Sequence, residues 1–92
     1  MNEMARHVLI EGRVQSIGYR WAMGEQATRL GVAGWVCNRR DGSVEAMLQG
    51  SDTAVEALIR WAWKGPPAAR VDAIEMDAGD GEFVGFERQP TA

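Results

Sequence analysis

A chain of 92 residues with 46% hydrophobic and 25% charged side chains has apolar material for one small core and reads as one folded domain over residues 1–92. Ten Lys and Arg against thirteen Asp and Glu leave a formal charge of −3, which speaks against broad binding to nucleic acid or to an anionic membrane surface. The single cysteine, Cys37, forbids an intrachain disulfide, and no stretch has the make-up of a secretory signal or a membrane span, so a cytoplasmic protein is expected.

"RHVLIEGRV" alternates, with Val8 and Ile10 on one face and His7, Leu9 and Glu11 on the other, which predicts a strand over about residues 6–13. After the loop, "WAMGEQATRLG" sets Met23, Ala27 and Leu30 at helical spacing and closes at Gly31. Gly24 inside that helix costs roughly 1 kcal/mol relative to alanine. "VAGWVCNRRDGSVEAMLQG" reads as two strands joined by a turn at Arg39–Ser43, with Asp41-Gly42 supplying the turn chemistry.

"SDTAVEALIRWAWKGPP" is the strongest helix, with Thr53 and Glu56 as an expected capping box, Val55, Leu58, Ile59 and Ala62 as its apolar face, and Gly65-Pro66-Pro67 as its stop. "ARVDAIEMDAG" and "EFVGFERQ" read as strands, and the broken alternation of the first points to a bulge. This order predicts an α+β, ferredoxin-like βαββαβ sandwich: an antiparallel sheet with two helices on one face and a short fifth strand. A right-handed first crossover makes strands one and two parallel with strand three between them. The loop Gly12–Arg20 and Asn38 should then meet at one sheet edge, roughly 10 Å apart.

That loop leads from a strand into a helix, where unpaired backbone N–H groups and the helix dipole favour an anion. Gly12 and Gly18 permit a nest of inward N–H groups, and Arg20 adds a planar fork suited to two phosphate oxygens. On spacing alone a second reading stands beside it, in which the glycines serve a turn and Arg20 is a solvated helix-start residue. Arginine opposes the dipole there, and an anion would repair the mismatch.

"GRVQSIGYR" and "GWVCNRRDGSVEAMLQG" resemble the two signature segments of the acylphosphatase family, and length and element order match over nearly the whole chain. The resemblance implies hydrolysis of acyl phosphates to a carboxylate and inorganic phosphate, without metal or cofactor, by a small monomer whose partner is its small-molecule substrate. It also implies that the amides of Gln15, Ser16, Ile17, Gly18, Tyr19 and Arg20, with the Arg20 guanidinium, hold the phosphoryl group, and that Asn38 orients the attacking water. Ser16 stands where the family usually has glycine, and Cys37 where it often has a basic residue. If position 16 requires positive φ, serine there carries strain on the order of 1 kcal/mol.

Other readings are weaker. His7 and Cys37 should lie at opposite sheet edges and form no nucleophilic pair, and one His with one Cys is too few for a zinc site. Trp35 is expected to pack on the sheet, while Trp61 and Trp63 lie off the main face of the second helix, one of them exposed. Glu75, Asp77, Asp80 and Glu82 read as a solvated acidic stretch rather than paired catalytic acids. RNA-recognition domains share the element order, but "SVEAMLQG" lacks the aromatics they place on the third strand. A non-catalytic anion-binding relative using the same loop is the closer competitor.

Overall fold

The computed structural model describes residues 3–92. Its elements are β1 (Glu3–Arg13), α1 (Tyr19–Leu30), β2 (Ala33–Asn38), β3 (Val44–Ser51), α2 (Asp52–Lys64), β4 (Arg70–Ala78) and β5 (Phe86–Arg88). They build one five-stranded sheet in the order β4-β1-β3-β2-β5. This is the expected ferredoxin-like α+β arrangement, with β3 between β1 and β2 and antiparallel to both.

Alternation in the strands places the core. Val8, Ile10, Val36, Ala46 and Leu48 are buried and meet Met23 and Ala27 of α1 and Val55, Leu58 and Ala62 of α2. Each large aliphatic side chain buried this way contributes about 1.5–3 kcal/mol relative to exposure, so this layer dominates the favourable side of folding. The apolar stripe predicted for α2 holds, with Ile59 packed at the core margin.

Three details depart from expectation. The sheet is mixed rather than antiparallel, because β5 runs parallel to β2, Gly34 beside Phe86 and Val36 beside Arg88. The cause lies in the preceding loop, which Gln49 pins at the far end of β3 by donating to the Gly81 carbonyl and accepting from the Phe83 amide. The chain therefore enters β5 from the end at which β2 begins. The N-cap of α2 is Ser51 rather than Thr53: its backbone is extended and its hydroxyl accepts from the Ala54 amide at 3.2 Å. Ser51 ends β3, so the helix starts directly off the strand, and Thr53 already lies in its first turn.

The third departure concerns Gly12. It lies within β1 at φ 137°, beside a register shift that pairs Glu11 with Ala73 and Gly12 with Val71, leaving Asp72 as the extra residue of the bulge expected in β4. A Cβ at Gly12 would stand 2.1 Å from the Arg70 carbonyl oxygen. Gly12 is therefore required by the approach of the β4 backbone, not by an anion nest.

Candidate active site

β1 ends at Arg13, Val14 is buried in the core, and the chain turns through Gln15–Gly18 into α1. Two residues of this turn have left-handed backbone: Ser16 at φ 64° and Gly18, the N-cap of α1, at φ 80°. Gly18 offers no side-chain cap, and the first turn of α1 holds no acidic residue. The helix thus presents its first amides and its positive dipole end without an internal anion to offset them. Its other end is closed as predicted, by Gly31 in left-handed conformation.

A cleft of about 250 Å³ opens at that helix end, lined by Val14, Ser16, Gly18, Tyr19, Arg20, Trp21, Asn38 and Arg88. The parallel β1 and β2 bring the loop and Asn38 to one edge of the sheet, as the topology requires. Of the sequence-predicted residues, Ser16, Gly18, Tyr19, Arg20 and Asn38 line the cleft, whereas Gln15 and Ile17 do not. Ile17 packs half-buried against the core.

Gln15 turns its side chain to the neighbouring hairpin, donating from Nε2 to the carbonyls of Arg39 and Ser43, each at 2.7 Å. These bonds tie the loop to the β2–β3 turn that follows Asn38. Asp41 holds that turn closed by accepting from the Ser43 amide at 2.9 Å and the Ser43 hydroxyl at 2.6 Å. Both bonds, hydroxyl first, draw the Asp41 carboxyl below its ordinary range. Tyr19 is buried, and its hydroxyl donates to the Ala62 carbonyl at 2.5 Å, which fixes the start of α1 against α2. Burial pushes its phenol well above the ordinary tyrosine range, so it stays neutral.

Arg20 donates from Nη1 to the Gln89 carbonyl at 2.6 Å. Beyond β5 the chain continues beside β2, with the Gln89 amide bonded to the Val36 carbonyl and the Ala92 amide to the Asn38 carbonyl. The C-terminal segment thus touches both Arg20 and the backbone of Asn38.

Val14, Trp21 and Arg88 are the cleft residues that sequence reasoning missed, and the charged one is Arg88. Its Nη2 donates to the Trp21 carbonyl at 2.9 Å and to Glu25 Oε2 at 3.3 Å, and its guanidinium lies 5.8 Å from the centre of the Trp21 ring. A Cβ on Gly24 would fall 2.5 Å from the Arg88 guanidinium carbon. The mid-helix glycine, a signal visible in sequence, marks where that side chain crosses α1.

On the opposite, helix-free face of the sheet, His7 and Cys37 share one carboxylate. His7 Nε2 donates to Glu45 Oε2 at 2.5 Å, Arg39 Nη1 donates to Glu45 Oε1 at 3.1 Å, and Cys37 Sγ lies 3.9 Å from the same oxygen. This corrects the expectation that the pair lies at opposite edges. β1 begins at Glu3, so His7 sits in mid-strand beside Met47, while Cys37 pairs with Glu45, which pairs in turn with Leu9. Burial, then the Glu45 charge, pushes the Cys37 thiol up, which argues against a thiolate nucleophile. Trp35 packs edge-on to His7 on this face, at 6.5 Å between ring centres. Trp61 leans on Tyr19, and Trp63 is exposed, as is the acidic stretch of Glu75, Asp77, Asp80 and Glu82.

The acylphosphatase family profile matches residues 6–88. An acylphosphatase of Thiobacillus denitrificans is 53% identical over 83 residues, covering 90% of this chain and 93% of the relative. Among solved structures, an acylphosphatase from Coxiella burnetii superposes with a TM-score of 0.91 at 30% identity, covering 96% of this chain and 94% of the other. The acylphosphatase from Bacillus subtilis superposes with a TM-score of 0.89 at 27% identity, covering 94% and 98%. With Arg20 and Asn38, one from each signature segment, brought to one sheet edge and the match running through almost every element, the chain belongs to the acylphosphatase family.

Proposed function

We propose that this chain hydrolyses acyl phosphates to a carboxylate and inorganic phosphate in the cleft at the N-terminus of α1. The observation that carries this reading is the placement of Arg20 and Asn38 in one small cleft beside an uncapped helix start. Arg20 clamps two phosphoryl oxygens, and the amides of the cleft-lining residues Ser16, Gly18, Tyr19 and Arg20, with the helix dipole behind them, bind the rest of the charge. Asn38 orients a water for in-line attack.

The water oxygen forms a bond to phosphorus as the bond from phosphorus to the acyl oxygen breaks, and that electron pair leaves on the carboxylate. The proton passes to an oxygen of the phosphate itself. Little covalent chemistry falls to the protein, which positions the reactants and offsets charge on the equatorial oxygens. An acyl phosphate already carries a good leaving group, so no protein base is required.

This reading treats residues 1–92 as one domain acting as a monomer on a small molecule, with no metal, cofactor, nucleic acid or membrane involved. A buried free thiol at Cys37 suits a reducing compartment, the cytoplasm. No helix among the described residues is long and apolar enough to cross a membrane.

The decisive measurement is release of phosphate from benzoyl phosphate by purified protein in excess EDTA. Turnover well above the spontaneous rate is expected, and its absence would sink the hydrolase reading. Asn38→Ala should lower kcat by at least about 100-fold while inhibition by inorganic phosphate stays within about twofold, because the clamp is untouched.

A further inference from the structure

Trp21 is the largest apolar side chain left in solvent beside the cleft, 61% exposed although it sits on the first turn of α1. Nothing in the core accounts for a tryptophan there, and leaving so large an apolar surface in water is unfavourable. Trp21 is also the one residue shared by two clefts. On one side lies the cleft of Arg20 and Asn38. On the other lies a larger cleft of about 580 Å³ between α1 and the end of α2, walled by Trp61, Pro66 and Pro67 and edged by Lys64.

The ring is also held in place. The Arg88 guanidinium stacks over it at 5.8 Å and bonds the Trp21 carbonyl, while Glu25 steadies Arg88 from one turn further along. A ring fixed in this way presents contact area at little entropic cost.

We propose that Trp21 and the neighbouring cleft form an acyl-group subsite, which selects acyl phosphates with aromatic or extended apolar acyl groups over short ones. This rests on the hydrolase reading above. A substrate anchored by its phosphoryl group next to Arg20 directs its acyl chain away from the anion site. Trp21 is where such a chain meets an apolar wall, and the Pro66-Pro67 turn continues that wall. An acetyl group is too short to cover the indole, whereas a phenyl or alkyl group stacks on it and shields it from water.

The test compares steady-state hydrolysis of acetyl phosphate and benzoyl phosphate by the wild-type protein, Trp21→Ala and Trp21→Phe. Wild type should show the lower KM for benzoyl phosphate. Trp21→Ala should raise the KM for benzoyl phosphate by about tenfold and that for acetyl phosphate by much less, so that the selectivity ratio collapses. Trp21→Phe, which keeps an aromatic face, should restore most of the ratio. Equal losses on both substrates, or no change on either, would overturn the subsite while leaving hydrolysis intact. A wild-type protein that hydrolyses neither compound overturns the hydrolase reading itself.

Discussion

Arg20 is held by the Gln89 carbonyl, to which its Nη1 donates at 2.6 Å across 69 residues of sequence. One arm of the guanidinium is thereby fixed by backbone, and the fork is oriented before any anion arrives. Arg20→Lys keeps the charge but loses the planar fork and the capacity to bond carbonyl and phosphate together. The expected outcome is a loss of about 100- to 1,000-fold in kcat/KM for benzoyl phosphate, with Arg20→Ala at least as severe. Initial rates, with near-ultraviolet circular dichroism as a check on folding, decide it.

Ser16 is the only non-glycine residue with positive φ among those described, at 64°. The left-handed region costs an L-residue roughly 1–2 kcal/mol, while glycine loses about 0.5–1 kcal/mol more entropy on folding. Ser16→Gly should therefore stabilise the protein, by no more than about 1.5 kcal/mol. Ser16→Val should destabilise it by more than 1 kcal/mol, because a branched side chain is a true outlier there. Urea titrations of the three proteins check both signs.

Gly12 within β1 and Gly18 at the start of α1 should respond differently. A Cβ at Gly12 meets the Arg70 carbonyl oxygen at 2.1 Å, whereas nothing lies within 4 Å of one at Gly18. Gly12→Ala should destabilise by about 3 kcal/mol or more, since rigid backbone must give way. Gly18→Ala carries only the conformational strain, about 1–2 kcal/mol. Thermal denaturation of both variants reads the difference.

Acid stability should report on Glu45. The His7 hydrogen bond, then that of Arg39, holds the Glu45 carboxyl below its ordinary value of 4.5. A depressed carboxyl pKa contributes stability that is fully present above the unfolded value and is lost as pH falls through the folded one. Stability should therefore decline below about pH 4.5, and Glu45→Gln should flatten that decline. At pH 7 the same substitution should cost about 1–2 kcal/mol, because its charged hydrogen bonds are weakened. Urea midpoints measured from pH 3 to pH 7 provide the check.

Local chemistry carried much of this molecule in plain sequence. Alternation at Val8 and Ile10, the helical spacing of Val55, Leu58 and Ala62, and the Gly31 and Gly65 stops set the elements. With the handedness of the crossover they also brought Asn38 to the loop of Arg20, because strand order and direction follow from element order. Long-range packing decided the rest. The purpose of Gly12 depends on where the Arg70 carbonyl comes to lie, and that of Gly24 on where the Arg88 guanidinium crosses. The staple from Gln15 to the hairpin, the Gln89 carbonyl behind Arg20 and the carboxylate shared by His7 and Cys37 join residues remote in sequence. Periodicity encodes which way a side chain faces. What it meets there depends on strand register and on the course of the chain after β4, and these emerge only when the whole sheet has closed.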